Sequence, residues 1–206
     1  MLRAAPAVGP GGVVYQAVKV GGTGGALFAI HPDHTVEVVE LTAPVNGGVF
    51  VTDSAIYFGA RDGSLYCYGH DLVRRWVVSL REGADILTRP GFDGTSIAVG
   101  DGDGTIHGRD PATGEAVWEY DALLGRSPSG VGLIGRAGVT TGPTGDMAIG
   151  DALGMIHVLT RGGQSRWRAR VSGGGTADGI VASPILTATR AYVGAENQTL
   201  TAFALR

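Results

Sequence analysis

The chain has 206 residues and a net charge of −3, with 17% charged residues against 44% hydrophobic ones. That balance is too apolar for a disordered chain, and the interleaved charges leave no basic stripe for phosphate, so an unfolded segment and a nucleic-acid binder are both excluded. The single cysteine, Cys67, excludes an internal disulfide, and no run reaches the ~18 apolar residues of a membrane span. After Met1-Leu2-Arg3-Ala4-Ala5, the residues Pro6, Gly9, Pro10, Gly11 and Gly12 interrupt before the apolar core of a signal peptide forms, so the chain by itself reads as cytoplasmic.

In chain order, the first strand signal is Val13-Val14-Tyr15. The glycine-rich stretch Gly21-Gly22-Thr23-Gly24-Gly25 then leads into Ala26-Leu27-Phe28-Ala29-Ile30. No helix start follows it to supply a dipole for phosphate, so it reads as a hairpin turn. The same sentence recurs four times. Ala55-Ile56-Tyr57-Phe58, Ser96-Ile97-Ala98-Val99, Met147-Ala148-Ile149 and Ala191-Tyr192-Val193 each run into an anchor glycine, then a turn, then a second apolar run. The anchors Gly21, Gly59, Gly100, Gly150 and Gly194 are separated by 38, 41, 50 and 44 residues, spacings that suit a four-stranded propeller blade.

A third run follows in most units and ends near a tryptophan, Trp76, Trp118 or Trp167, with Val38 standing at that place in the first unit. Glycine at 36 of 206 residues, against an average near 7%, fits a chain that turns every few residues. No stretch sustains a 3.6-residue period, so almost no helix is expected. The reading is an all-β propeller of about five repeats in one domain, with approximate blades 1–45, 46–84, 85–128, 129–176 and 177–206. The fifth blade lacks its outer strand, which makes the chain either a piece of a larger propeller or a compact variant whose open edge is covered by a partner or a second copy.

Candidate chemistry is sparse. Asp101-Gly102-Asp103-Gly104 alternates acidic residues like a calcium loop, but Thr105 and His107 occupy the next alternate places, and a tight hairpin turn is the better account. His107 and His157 fall at the same place in consecutive units, farther apart than one ion bridges. Arg166-Trp167-Arg168-Ala169-Arg170 alternates like a solvent-facing strand, and Cys67 lies in an apolar run as a buried, inert thiol. The five histidines, His31, His34, His70, His107 and His157, offer no serine triad.

Gly108-Arg109-Asp110-Pro111-Ala112-Thr113-Gly114-Glu115-Ala116-Val117-Trp118 resembles the tryptophan-docking motif Ala-x-Asp-x-x-Thr-Gly-x-x-x-Trp of quinoprotein-like (PQQ-type) β-propeller repeats, with Gly108 in place of the motif's alanine. Pro6 to Tyr15 and Ser183-Pro184-Ile185 resemble that family's blade-opening phrase. The resemblance implies that Trp118 stacks against the neighbouring blade while Asp110, Thr113 and Gly114 shape the turn beneath it, and that Trp76 and Trp167 do likewise from shortened units. Relatives of this type include dehydrogenases, scaffolds for outer-membrane protein assembly and sensor domains, many of them in the bacterial envelope. The quinoprotein dehydrogenases among them use paired cysteines and a Glu/Asn/Asp calcium set. Here there is one cysteine, and Glu196-Asn197 lies in a hairpin turn, so no cofactor, metal or catalytic residue is assigned. The expectation is a non-catalytic interaction scaffold that takes protein partners on the stretches 121–138 and 172–179, with Leu123, Leu124 and Arg126 as contact residues. The alternatives are a ligand- or carbohydrate-sensing propeller and a remnant PQQ-dependent dehydrogenase.

Overall fold

A computed structural model describes residues 4–122, 137–171 and 179–205. They form five antiparallel sheets and a single helical element, a three-residue 3-10 turn at Pro10–Gly12. The chain divides into two compact units, 1–90 and 91–206.

The first unit holds two four-stranded sheets. Strands β1 (Ala7–Val8), β2 (Val14–Val20), β3 (Gly24–Ile30) and β4 (Val36–Leu41) make the first, and β5 (Phe50–Val51), β6 (Ile56–Gly59), β7 (Ser64–Tyr68) and β8 (Arg74–Ser79) the second. Each runs as a meander because turns of three to five residues can join only antiparallel neighbours. Period-2 alternation sends Tyr15, Ala17, Leu27 and Ala29 to one face of the first sheet, where they share a buried core with Ile56, Phe58, Tyr66 and Tyr68. Phe58 stacks between Tyr66 and Tyr68 at ring-centroid distances of 5.4 and 5.7 Å.

The second unit repeats the plan with β9 (Gly91–Phe92), β10 (Ile97–Gly100), β11 (Thr105–Arg109) and β12 (Ala116–Asp121), then with β13 (Thr140–Thr141), β14 (Met147–Gly150), β15 (Met155–Leu159) and β16 (Ser165–Arg170). The last sheet has three strands, β17 (Ile185–Leu186), β18 (Arg190–Gly194) and β19 (Leu200–Ala204). Ala98 and Ile106 pack against Met147, Ile149 and Leu159 of the next sheet. Ala148, Ile156 and Val158 in turn pack against Leu186, Ala191 and Val193. The sheet β13–β16 therefore packs on both faces, which is why β14 reads as an unbroken apolar run.

Two details differ from the sequence reading. The tryptophans are not at strand ends: each is the third residue of a six-residue outer strand, β8, β12 or β16. In the first sheet the equivalent place belongs to Val39 rather than Val38. Val20 pairs Gly24 around a three-residue loop, as Ala60 pairs Ser64 in the second sheet, so Leu27 takes the place of Cys67, and its cross-strand partner is Val39. Val39 packs on the core, whereas Val38 is 55% exposed. Aligning glycines rather than hairpin closures misplaced the residue.

Candidate functional site

Asp110 organises the turn between β11 and β12. Its Oδ1 accepts hydrogen bonds from the backbone N–H of Ala112 (2.8 Å) and Thr113 (2.9 Å) and from the Thr113 hydroxyl (3.3 Å). Those backbone donors, led by Thr113, hold the Asp110 carboxyl below the usual carboxylate range. Gly114 closes the turn at φ 77°, donating to the Asp110 carbonyl at 2.9 Å. A bulge between Gly108 and Arg109 then re-aims β12 so that Trp118 stands opposite Gly108. The indole lies over Gly108 on its own sheet and over Gly163, at φ 76°, in the turn before β16 of the next. A Cβ at either glycine would fall inside the ring. Trp118 Nε1 donates to Ser96 Oγ at 3.0 Å, and Ser96 Oγ donates to Asp93 Oδ2 at 2.9 Å, so the buried end of the indole is satisfied.

Trp167 occupies the matching place opposite Val158 and meets Phe203 of the last sheet edge-on, at 5.2 Å and 62°. Trp76 stands opposite Cys67 and lies beside Tyr57 of its own sheet, at 5.9 Å and 47°. The residues Leu123, Leu124 and Arg126 lie outside the described residues, as does most of the stretches 121–138 and 172–179. The described ends of those stretches are pinned: Ala122 N–H donates to the Gly104 carbonyl (3.0 Å), and Gly138 N–H to Ser183 Oγ (3.0 Å). Val171 N–H donates to the Gly154 carbonyl (2.9 Å), and Ile180 N–H to the Asp151 carbonyl (2.9 Å).

The sequence reading missed a buried polar pair that occurs twice. Asp101 is fully buried; its Oδ1 accepts from the N–H of Asp103 (3.0 Å) and Thr105 (2.9 Å), and its Oδ2 lies 2.9 Å from His107 Nε2. Asp151 repeats this with Leu153 (2.9 Å), Met155 (2.8 Å) and His157 Nε2 (3.3 Å). The other ring nitrogen of His107 faces Glu119 Oε1 at 3.1 Å, and that of His157 faces the Tyr120 hydroxyl at 3.4 Å. Burial alone would raise both aspartates, but the histidine and the two backbone donors outweigh it and leave each below its usual range. The available signal was the spacing: an aspartate directly after the anchor glycine and a histidine six residues on, in two consecutive units. Asp101 thus closes a hairpin and holds a histidine.

These residues do not fit a quinone and calcium centre. Among the described residues no three His, Cys, Asp or Glu side chains converge on a metal position. Both strand histidines are engaged by their own aspartates, and burial pushes the lone Cys67 thiol up to about 11.

Repeated four-stranded antiparallel sheets, stacked face on face within each unit and carrying a tryptophan on the outer strand, define a β-propeller of PQQ-type repeats. A family model described as outer membrane protein assembly factor BamB matches residues 1–131, and the chain belongs to that family. The solved structure of BamB from Moraxella catarrhalis is similar over 99% of this chain and 58% of its own, at 23% identity and a TM-score of 0.76. Quinohemoprotein alcohol dehydrogenase from Comamonas testosteroni is similar over 99% of this chain and 41% of its own, at 17% identity and a TM-score of 0.78. At these identities the likeness is one of fold, and the chain spans about half the length of either protein. No curated protein matches the chain.

Proposed function

We propose that the chain is a non-catalytic β-propeller scaffold of the cell envelope that binds protein partners through the stretches between its sheets. The observation that carries this reading is the family match to an outer membrane protein assembly factor over residues 1–131. The physical arrangement supports it. The stretches 121–138 and 172–179 are the two that lengthen the repeat, and both spring from anchored backbone ends, so a rigid scaffold presents them. The docking geometry of Trp118 and Trp167 supplies that rigidity by locking one sheet to the next.

The experiment is affinity capture with the 206-residue chain as bait, comparing it with a Leu123→Ala/Leu124→Ala/Arg126→Ala variant of unchanged melting temperature. Loss of the captured proteins from the variant supports the reading. Retention of every one of them by the variant removes these residues from the partner surface.

A further inference from the structure

The repeat places a small residue two positions before the first strand of a sheet: Ala5 before β1, Gly48 before β5, Gly138 before β13 and Ser183 before β17. Before β9 that residue is Arg89. A long basic side chain thus stands where the other four units have almost none. The hydrogen bond and ring contact that hold it come from Val49 and Phe50, within the unit 1–90.

A glycine pair sets the geometry. Gly47 runs against the Thr88 and Leu87 carbonyls, where an added Cβ would come within 2.7 and 2.9 Å, and a Cβ at Gly48 would press on Cδ, Cβ and Cγ of Arg89 at 3.2–3.3 Å. The arginine stem therefore lies across Gly48. Its Nε donates to the Val49 carbonyl at 3.2 Å, and its guanidinium carbon sits 5.4 Å from the centre of the Phe50 ring. One edge and one face of the half-buried guanidinium are thus held by consecutive residues of a single segment. Among the described residues neither terminal nitrogen, Nη1 or Nη2, has a hydrogen bond or an ion pair.

We propose that Arg89 is a carboxylate receptor, its two terminal nitrogens donating in parallel to the two oxygens of a ligand carboxylate. A guanidinium held at Nε and stacked on a ring keeps its remaining edge aimed in one direction, so little freedom is lost when the ligand arrives. One fork balances one negative charge carried on two coplanar oxygens, which is a carboxylate. A phosphate dianion would leave a charge unmatched by the site's one basic group. The carboxylate belongs to a peptide C-terminus or to an acidic side chain, since both present the same pair of oxygens. The site is independent of the loop reading above, because none of its residues lies in the stretches 121–138 and 172–179.

The test follows the Arg89 Nε–H signal of the 206-residue chain by nitrogen–proton correlation spectroscopy, the signal being assigned by its loss in Arg89→Lys. Two acids are titrated, acetyl-Gly-Phe with a free C-terminus and acetyl-Gly-Glu-Gly amide, each against its neutral counterpart, acetyl-Gly-Phe amide and acetyl-Gly-Gln-Gly amide. A saturable shift is expected with at least one acid and at least tenfold weaker binding of its neutral counterpart, and the tighter acid identifies a chain end or a side chain as the source. Read at the backbone N–H of Gly48 and Phe50, Arg89→Lys keeps the charge without the fork and weakens binding at least fivefold, with melting temperature unchanged. The titration of the unsubstituted chain decides the matter even where that variant fails to fold. Absence of a saturable shift with either acid, equal binding of acid and amide, or unchanged binding by Arg89→Lys overturns the proposal. So does tighter binding of inorganic phosphate than of either acid, because the fork then serves a phosphoryl group.

Discussion

At the scale of single residues, the tryptophan seat and the buried aspartate–histidine pairs decide local stability. The motif's alanine is replaced by Gly108, and the structure gives the reason: the Trp118 ring lies where a Cβ would be. Gly108→Ala therefore forces the indole off Ser96 Oγ and off Gly163, and a loss of about 1–3 kcal/mol is expected in urea unfolding, with a red-shifted Trp118 emission. An unshifted emission would show that the ring seats elsewhere. The aspartates set the acid limit. Both Asp101 and Asp151 are depressed in the folded state, so they bind fewer protons folded than unfolded. Their contribution is complete above the unfolded aspartate value near 3.9 and is lost as pH falls through the lower folded values. The urea midpoint is expected to drop below about pH 4, and the Asp101→Asn/Asp151→Asn double variant to show a flatter acid limb from a lower plateau. An equally steep limb in that variant would assign the acid loss to other groups, such as Asp33 or Asp110, which are also depressed.

At the scale of the strand and turn, the repeat makes positions comparable, and two depart from the rule: Thr23, which ends the turn before β3 without a positive φ, and Gln198. The hairpin turns before β7, β11 and β15 end on Gly63, Gly104 and Gly154, all at positive φ. The matching residue before β19 is Gln198, at φ 65°, a conformation that costs a side chain roughly 1 kcal/mol. Gln198→Gly relieves that strain against a small rise in unfolded-state entropy, and a net gain of up to about 1 kcal/mol is expected in thermal melts. A loss would mean that the Gln198 side chain does work its backbone conformation hides. The sequence made strands and hairpins plain because Val, Ile and Tyr runs alternate with glycine turns at a steady interval. Register was less plain: Val38 looked like a tryptophan equivalent until the Val20–Gly24 closure showed it to be Val39. Glycine marks a turn but not which of its residues closes the ladder.

At the scale of the whole chain, the repeat was legible because it is local in sequence, whereas the Asp101–His107 and Asp151–His157 pairs needed the hairpin to bring their ends together. Core organisation was not legible at all. Among the described residues, the unit 1–90 has its own buried cluster around Tyr15, Phe58 and Tyr68, and the unit 91–206 has two, one around Ile106 and Ile149 and one around Ile156 and Val193. In repeat proteins a substitution acts through its own unit and its immediate neighbours, so effects stay near their source. Cys67 reports on this without any added label. Its thiol is buried and pushed up to about 11, so at pH 8 it reacts with a disulfide reagent only when its unit opens. Phe58→Leu removes a ring stacked between Tyr66 and Tyr68, and it is expected to lower the urea midpoint of Cys67 labelling. Gly163→Ala, at a positive φ beneath Trp118, is expected to move the tryptophan fluorescence midpoint while shifting Cys67 labelling by less than half as much. Equal shifts of both signals by both substitutions would show that the 206 residues unfold as one cooperative block.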